Sequence, residues 1–229
     1  MFDKTIPYEK NLFFLINSTH TNFWDNVMWL FSDMKIWIPL ALFLIFNITY
    51  KKNWKQWLPI LFGIALVFIL CDQASSHIIK PLVARPRPTH YPGIMEHVRT
   101  LFGYTGGQYG FISGHATNSF GFAIFTSLLF RNRFFTIIIF VWASIIAYSR
   151  IYLGVHFISD IVGGIIAGIA IGFLVYKGYK YITSKIQVNA TSLYNIEYSD
   201  KQINTTTISI ILYILSFSIL SKYLILFLQ

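Results

Sequence analysis

Long apolar runs alternate with short polar breaks along this chain, and several runs reach the roughly 20 helical residues that cross a bilayer. Met34–Tyr50 is predicted as the first span, somewhat short, followed by Lys51, Lys52 and Lys55. Trp57–Ile79 is the second; it carries Asp72 and His77 in its last third and ends at Lys80-Pro81. A long polar loop, 81–112, starts rich in proline and ends rich in glycine. Ala116–Phe130 leads the third span, Phe134–Tyr148 is the core of the fourth, and His156–Ile182 is the fifth. A polar hairpin over 183–205 precedes the sixth, Thr206–Leu228, which Lys222 interrupts. Residues 1–33 mix apolar Trp24, Val27, Met28, Leu30 and Phe31 with Asn22, Asp25, Asn26, Ser32 and Asp33, the pattern of an amphipathic helix lying in the interface.

The expectation is therefore an all-α integral membrane bundle of six transmembrane helices with an N-terminal amphipathic interfacial helix. It forms one domain over 1–229, with 1–33 the interfacial segment and 34–228 the bundle. Composition agrees: 55% of the 229 residues are hydrophobic and 12% are charged, far from the balance of a soluble domain. The net charge of +9 informs topology here and implies no nucleic-acid partner. One cysteine, Cys71, excludes an internal disulfide. The first residues lack the basic region, apolar core and cleavage site of a signal peptide. Sequons at Asn17, Asn47, Asn189 and Asn204 carry no weight. Oligomeric state is not readable.

Six spans put Lys51, Lys52, Lys55, Arg131, Arg133, Lys177, Lys180 and Lys185 on one side, eight of the 18 basic residues. By the excess of Lys and Arg this side is cytoplasmic. The polar clusters at 80–87, 113–115 and 149–160 then converge at the extracytoplasmic surface. Gly164, Gly168 and Gly172 recur every four residues, a spacing that admits a close helix neighbour.

Each cluster suits an anion. His156 and Asp160, four apart, are expected on one helix face, where the carboxylate fixes the imidazole tautomer and frees the other nitrogen as base or nucleophile. Arg150 offers a planar fork for phosphate oxygens; an Arg150–Asp160 ion pair with His156 filling space is the structural alternative. Lys80 and Arg87 lie in a proline-stiffened stretch on the side where cations are disfavoured, and so call for an anionic ligand. Ser113 can cap a helix whose first N–H groups attract an anion, Gly114 admits a close oxygen, and His115 can donate a proton to a leaving oxygen. Fixed cations, two histidines and a helix N-terminus are what phosphoryl transfer asks for. A metal site at Glu96, His97 and His90 ranks far behind.

Lys80-x6-Arg87-Pro88, Ser113-Gly114-His115 and Ser149-Arg150-x5-His156-x3-Asp160 resemble, in order and spacing, the three motifs of the type 2 phosphatidic acid phosphatase (PAP2) superfamily. Ile112 stands where the second motif usually has proline. The resemblance implies His156 as a nucleophile forming a phosphohistidine, oriented by Asp160, with His115 protonating the leaving group. It implies Lys80, Arg87, Ser113, Gly114 and Arg150 as phosphate-binding, with no metal and no cofactor.

The expected activity is a membrane lipid phosphatase at the extracytoplasmic side of a bacterial inner membrane, acting on a lipid phosphate. Undecaprenyl diphosphate leads by resemblance to compact bacterial members; phosphatidylglycerophosphate, phosphatidate and lipid A phosphates stay open. The loop 89–111 is expected to shape headgroup choice. A lipid or ion carrier would disperse charge at midplane depth, and a vanadate-dependent haloperoxidase-like enzyme would not be so apolar.

Overall fold

The computed structural model describes residues 6–188 and 198–228; their regular structure is helical, with no named strand among them, and 84–113 is mostly loop. In chain order they form α1 (Ile6–Asn17), α2 (Asn22–Ser32), α3 (Ile38–Thr49), α4 (Trp54–Asp72), α5 (Lys80–Val83), α6 (Gly114–Phe130), α7 (Arg133–Tyr152), α8 (Ile158–Val188), α9 (Asp200–Ile219) and α10 (Ser221–Leu228). Four stretches among the described residues are long and apolar enough to cross a membrane: Trp54–Val83, Arg133–Tyr152, Ile158–Lys185 and Asp200–Ile219. α2 and Met34–Thr49 meet the same measure only together, bent by 70° at their break. α6 has 17 residues, about 26 Å of helix, and runs through the centre of the bundle, packed on α4, α7 and α8.

Local sequence sets the helix starts. Asn53 accepts from the Lys55 N–H while Gln56 reaches back to the Asn53 N–H, a reciprocal cap at the head of α4. Asn132 and Ser199 cap α7 and α9 one way, their side chains accepting from the Phe135 and Gln202 N–H groups, each worth about 1 kcal/mol. α4 does not stop at Asp72 but continues through a π-helical turn, Gln73–Ile79, into α5, and Ala84 in the left-handed region (φ 48°) then turns the chain out.

The small-residue spacing in α8 serves α6. A methyl group on Gly164 would lie 2.7 Å from the Ser113 carbonyl oxygen, and one on Gly168 or Gly172 would run into the Thr117 or Gly121 carbonyl. Backbones at this distance gain packing that lipid tails cannot supply. Outward, Phe62, Ile137, Ile166, Leu174 and Leu212 are exposed, an apolar belt suited to acyl chains.

Three boundaries differ from the pattern read in sequence. His156 precedes α8 and lies in the turn before it, so it does not share a helix face with Asp160. α9 starts at Asp200 within the expected polar hairpin, because Gln202 donates to the Asn47 carbonyl and Asn204 accepts from Asn132; residues 189–197 of that hairpin lie outside the described residues. The last helix breaks at Leu220, and α10 turns back onto α2. There Val27, Leu30 and Phe31 pack with Ile36, Ile146, Phe217 and Ile225, so the apolar side of α2 is buried within the protein.

Candidate functional site

The polar groups gather where α7 gives way to α8. α7 ends in a tight turn, with Val155 N–H donating to the Arg150 carbonyl at 3.1 Å and Gly154 at φ 75°, a value that suits glycine alone. That turn presents His156 just ahead of α8. Asp160, in the first turn of α8, folds its carboxylate back. Its Oδ2 accepts from the Phe157 N–H at 2.9 Å and lies 3.3 Å from His156 Nδ1. Both side chains are fully buried. A carboxylate beside Nδ1 makes that nitrogen the N–H donor, leaving Nε2 with its lone pair. Nε2 is buried with no hydrogen-bond partner.

The proline-rich stretch after α5 runs extended beside 108–110. Arg87 N–H donates to the Gln108 carbonyl, and Gly110 N–H donates to the Arg85 carbonyl. Arg87 is held further through Nε to the Tyr109 carbonyl at 3.1 Å and through Nη1 to the Val155 carbonyl, beside His156, at 3.4 Å. Glycine fits the facing loop closely: a methyl group on Gly110 would lie 2.8 Å from Asp160 Oδ2, and one on Gly106 would lie 2.5 Å from Arg87 Nη1.

Ser113, fully buried, caps α6 by accepting from the Ala116 N–H, and its own N–H donates to the Asp160 carbonyl at 3.0 Å. The capping alternative for Ser113 thus holds, and its hydroxyl hydrogen is left over for another acceptor. Lys80 Nζ comes within 3.6 Å of the place a Gly114 methyl would take, beside the Ser75 and Ser76 hydroxyls. His115 Nε2 lies 3.2 Å from the Ser32 carbonyl; a carbonyl only accepts, so that nitrogen carries a hydrogen. Arg150 is buried, pairs with the Ser32 hydroxyl through Nη1 and donates from Nη2 to the Tyr104 hydroxyl oxygen at 3.1 Å.

Electrostatics show how close these groups lie. His156 is held well below the ordinary histidine range by burial first, then by the charges of Arg87, Arg150 and Lys80, so its imidazole stays neutral. Burial pushes the Tyr104 phenol up, but the Arg150 guanidinium, by charge and hydrogen bond, and Arg87 more than reverse this. Lys80, Arg87, Ser113, Gly114, His115, Arg150, His156 and Asp160 thus share one neighbourhood. A neutral imidazole, three cations and the N-terminus of α6 are thereby brought to one place.

Other residues fall outside that core or enter it unannounced. Asp72 and His77 pair at 3.6 Å on an exposed surface. Glu96, His97 and His90 form no metal-ligating group among the described residues. Asn17 is buried and fully used: it donates to the Arg99 and Tyr152 carbonyls and accepts from the Arg99 N–H. Ser32, Glu9 and Arg85 reach the site without any motif to announce them. The one available signal is the scarcity of acids, since the chain has only nine Asp and Glu residues and each one buried calls for a partner.

Comparison with known proteins covers the stretch of chain that carries these residues. The model of the PAP2 superfamily covers residues 56–184. The lipid A 4′-phosphatase of Porphyromonas gingivalis is 39% identical over 96% of this chain and 93% of its own. The one from Bacteroides thetaiotaomicron is 37% identical over 78% and 80%. Undecaprenyl-diphosphatases match at 30% identity or less. Among solved structures, Aquifex aeolicus LpxE superimposes with a TM-score of 0.55 at 27% identity, over 74% of this chain and 95% of its own. The helical membrane bundle, the caged imidazole and these likenesses lead to one conclusion: the chain belongs to the PAP2 superfamily and is one of its membrane lipid phosphatases, a phosphoric ester hydrolase.

Proposed function

We propose that the chain removes the 4′-phosphate of a lipid A-type glycolipid through a phosphohistidine on His156. The observation that carries the chemistry is the fully buried His156 Nε2, which has no partner, while Nδ1 faces Asp160. The lipid A reading rests on the two relatives named above and replaces undecaprenyl diphosphate as the leading substrate, since the diphosphatases are more distant.

His156 Nε2 attacks phosphorus as the bond to the lipid oxygen breaks. His115, as the imidazolium once the phosphate is bound, hands that oxygen the Nε2–H now held by the Ser32 carbonyl and is left as neutral imidazole. Water then attacks the phosphohistidine, giving its proton to His115, and the N–P electrons return to His156. Lys80, Arg87, Arg150, the Ser113 hydroxyl and the Gly114 N–H hold the phosphate oxygens as charge spreads over them. These groups offset the charge with protein cations and call for no metal. Tyr104, in the loop 89–111, reaches the headgroup region through Arg150.

The topology belongs to this reading. Six crossings are counted if the bent pair over 22–49 and the central α6 each span, with α1 covering the mouth. The basic ends at Lys51, Lys52, Lys55, Arg131, Arg133, Lys177 and Lys180 then face the cytoplasm, and the site faces outward from the inner membrane.

The test is phosphate release by the detergent-solubilised protein from lipid A bisphosphate, undecaprenyl diphosphate and phosphatidylglycerophosphate in matched micelles. Preferential loss of the 4′-phosphate, abolished in His156→Ala, is the expected result. Faster turnover of the diphosphate would return the substrate assignment to undecaprenyl diphosphate, and undiminished turnover in His156→Ala would overturn the mechanism.

A further inference from the structure

The carboxylate behind His156 is itself held from the side away from the imidazole. Arg85, 2% exposed, donates through Nη1 to Asp160 Oδ1 at 2.9 Å and to the Ser159 hydroxyl at 2.5 Å. Its Nη2 pairs with Glu9 Oε1, and its guanidinium lies 4.5 Å over the centre of the Phe157 ring. Glu9, from α1, accepts through Oε2 from the Ser159 N–H at 2.9 Å and through Oε1 from the Ser159 hydroxyl at 3.0 Å. Both Asp160 oxygens are therefore spoken for, Oδ1 by Arg85 and Oδ2 by the Phe157 N–H and His156 Nδ1.

We infer that Arg85 and Glu9 are positioning residues of the phosphatase reaction. Neither belongs to the three motifs, and neither is placed to touch phosphate. An isolated carboxylate at this depth takes up a proton rather than stay ionised. A protonated Asp160 is a poorer acceptor for the Nδ1–H that aims Nε2. Arg85 keeps Asp160 ionised and fixes the plane of its carboxylate. Glu9 offsets the charge of Arg85 and locks its fork against α8, so the cation is committed to Asp160 rather than to the substrate. The relay runs Glu9, Arg85, Asp160, His156, with the reacting nitrogen at its end.

This inference rests on His156 being the nucleophile, and the experiment separates the two. Lipid A bisphosphate in detergent micelles is the probe, and kcat, KM and thermal midpoint are measured for Arg85→Met, Arg85→Lys, Glu9→Gln and the double variant Glu9→Gln/Arg85→Met. The double variant removes the charge of Glu9 with that of Arg85, so Glu9 is not left buried without its cation, and kcat is counted per folded molecule. A positioning role lowers kcat per folded molecule by about 10–100-fold, as loss of a group orienting a catalytic side chain does. KM then stays within about threefold, because the phosphate cage is intact, and Arg85→Lys recovers part of kcat. Weaker inhibition of the double variant by orthovanadate, a five-coordinate phosphate mimic, follows from the same misaimed Nε2. Wild-type kcat per folded molecule in the double variant overturns the positioning role, whatever the loss in thermal midpoint, and leaves the nucleophile assignment standing. Activity in His156→Ala removes the premise instead.

Discussion

His156 Nδ1 and Asp160 Oδ2 lie 3.3 Å apart although the two residues occupy different kinds of backbone, one a turn and the other the first turn of α8. The carboxylate spans the junction because it also accepts the Phe157 N–H. One side chain therefore both starts the helix and sets the imidazole.

Replacing the imidazole tests the centre of the site. His156→Ala and His156→Asn are expected to lower kcat by about 10⁴-fold or more, the scale seen when a covalent nucleophile is lost. Elution as a folded species in detergent with unchanged lipid binding should accompany the loss. Retention of even a tenth of the activity would contradict the assignment.

The neutral state of His156 predicts a pH profile. Burial, with Arg87, Arg150 and Lys80, lowers its affinity for a proton, so the reactive base persists as the solution is acidified. The sign is that a depressed pKa moves the acid limb of kcat/KM, which reports the free enzyme, well below the ordinary histidine value. Arg87→Gln removes one of those charges and should move the limb upward while lowering kcat/KM by about 10²-fold, the scale of losing an electrostatic contact to the transition state. A downward or absent shift in Arg87→Gln refutes this account of the imidazole.

Gly110→Ala places a methyl group 2.8 Å from Asp160 Oδ2, whereas a methyl on Gly107 meets nothing within 4 Å. Activity should fall by at least about tenfold in the first and stay near wild type in the second, a tenfold change corresponding to about 1.4 kcal/mol of transition-state stabilisation. Equal behaviour of the two variants in a phosphate-release assay would argue against strict packing at the carboxylate.

Asn17 ties α1 to the loop at Arg99 and to the end of α7 through three hydrogen bonds. Asn17→Ala leaves the Arg99 N–H and two carbonyls short of partners, and should cost about 1–3 kcal/mol of stability. The readout is a lower thermal midpoint in detergent. Because its amide is engaged, the residue should also remain unmodified in any glycosylating host, as mass spectrometry would show.

The three motif clusters are legible in sequence because each is short and chemically concentrated: Arg150, His156 and Asp160 sit within eleven positions, and apolar runs on either side place them at a membrane surface. The stripe Gly164, Gly168, Gly172 is legible for a similar reason, since a period of four fixes one face. What hydropathy does not reveal is local backbone that tertiary bonds override. The head of α9 is polar, yet helical, because Asn47 and Asn132 bond it. Glu9, Ser32 and Arg85 are illegible for a different reason. Their partners lie 150, 118 and 75 positions away, and no periodicity encodes such a meeting.

Those long separations bear on how the enzyme comes into being. Glu9 leaves the ribosome first and must wait for Ser159, 150 positions later. At elongation rates on the order of ten residues per second, that is on the order of ten seconds with a carboxylate, and later a guanidinium, lacking their final neighbours. A half-translated chain can insert apolar helices but has no assembled reaction centre, so phosphatase action begins only once nascent α8 draws the opening helix down upon it.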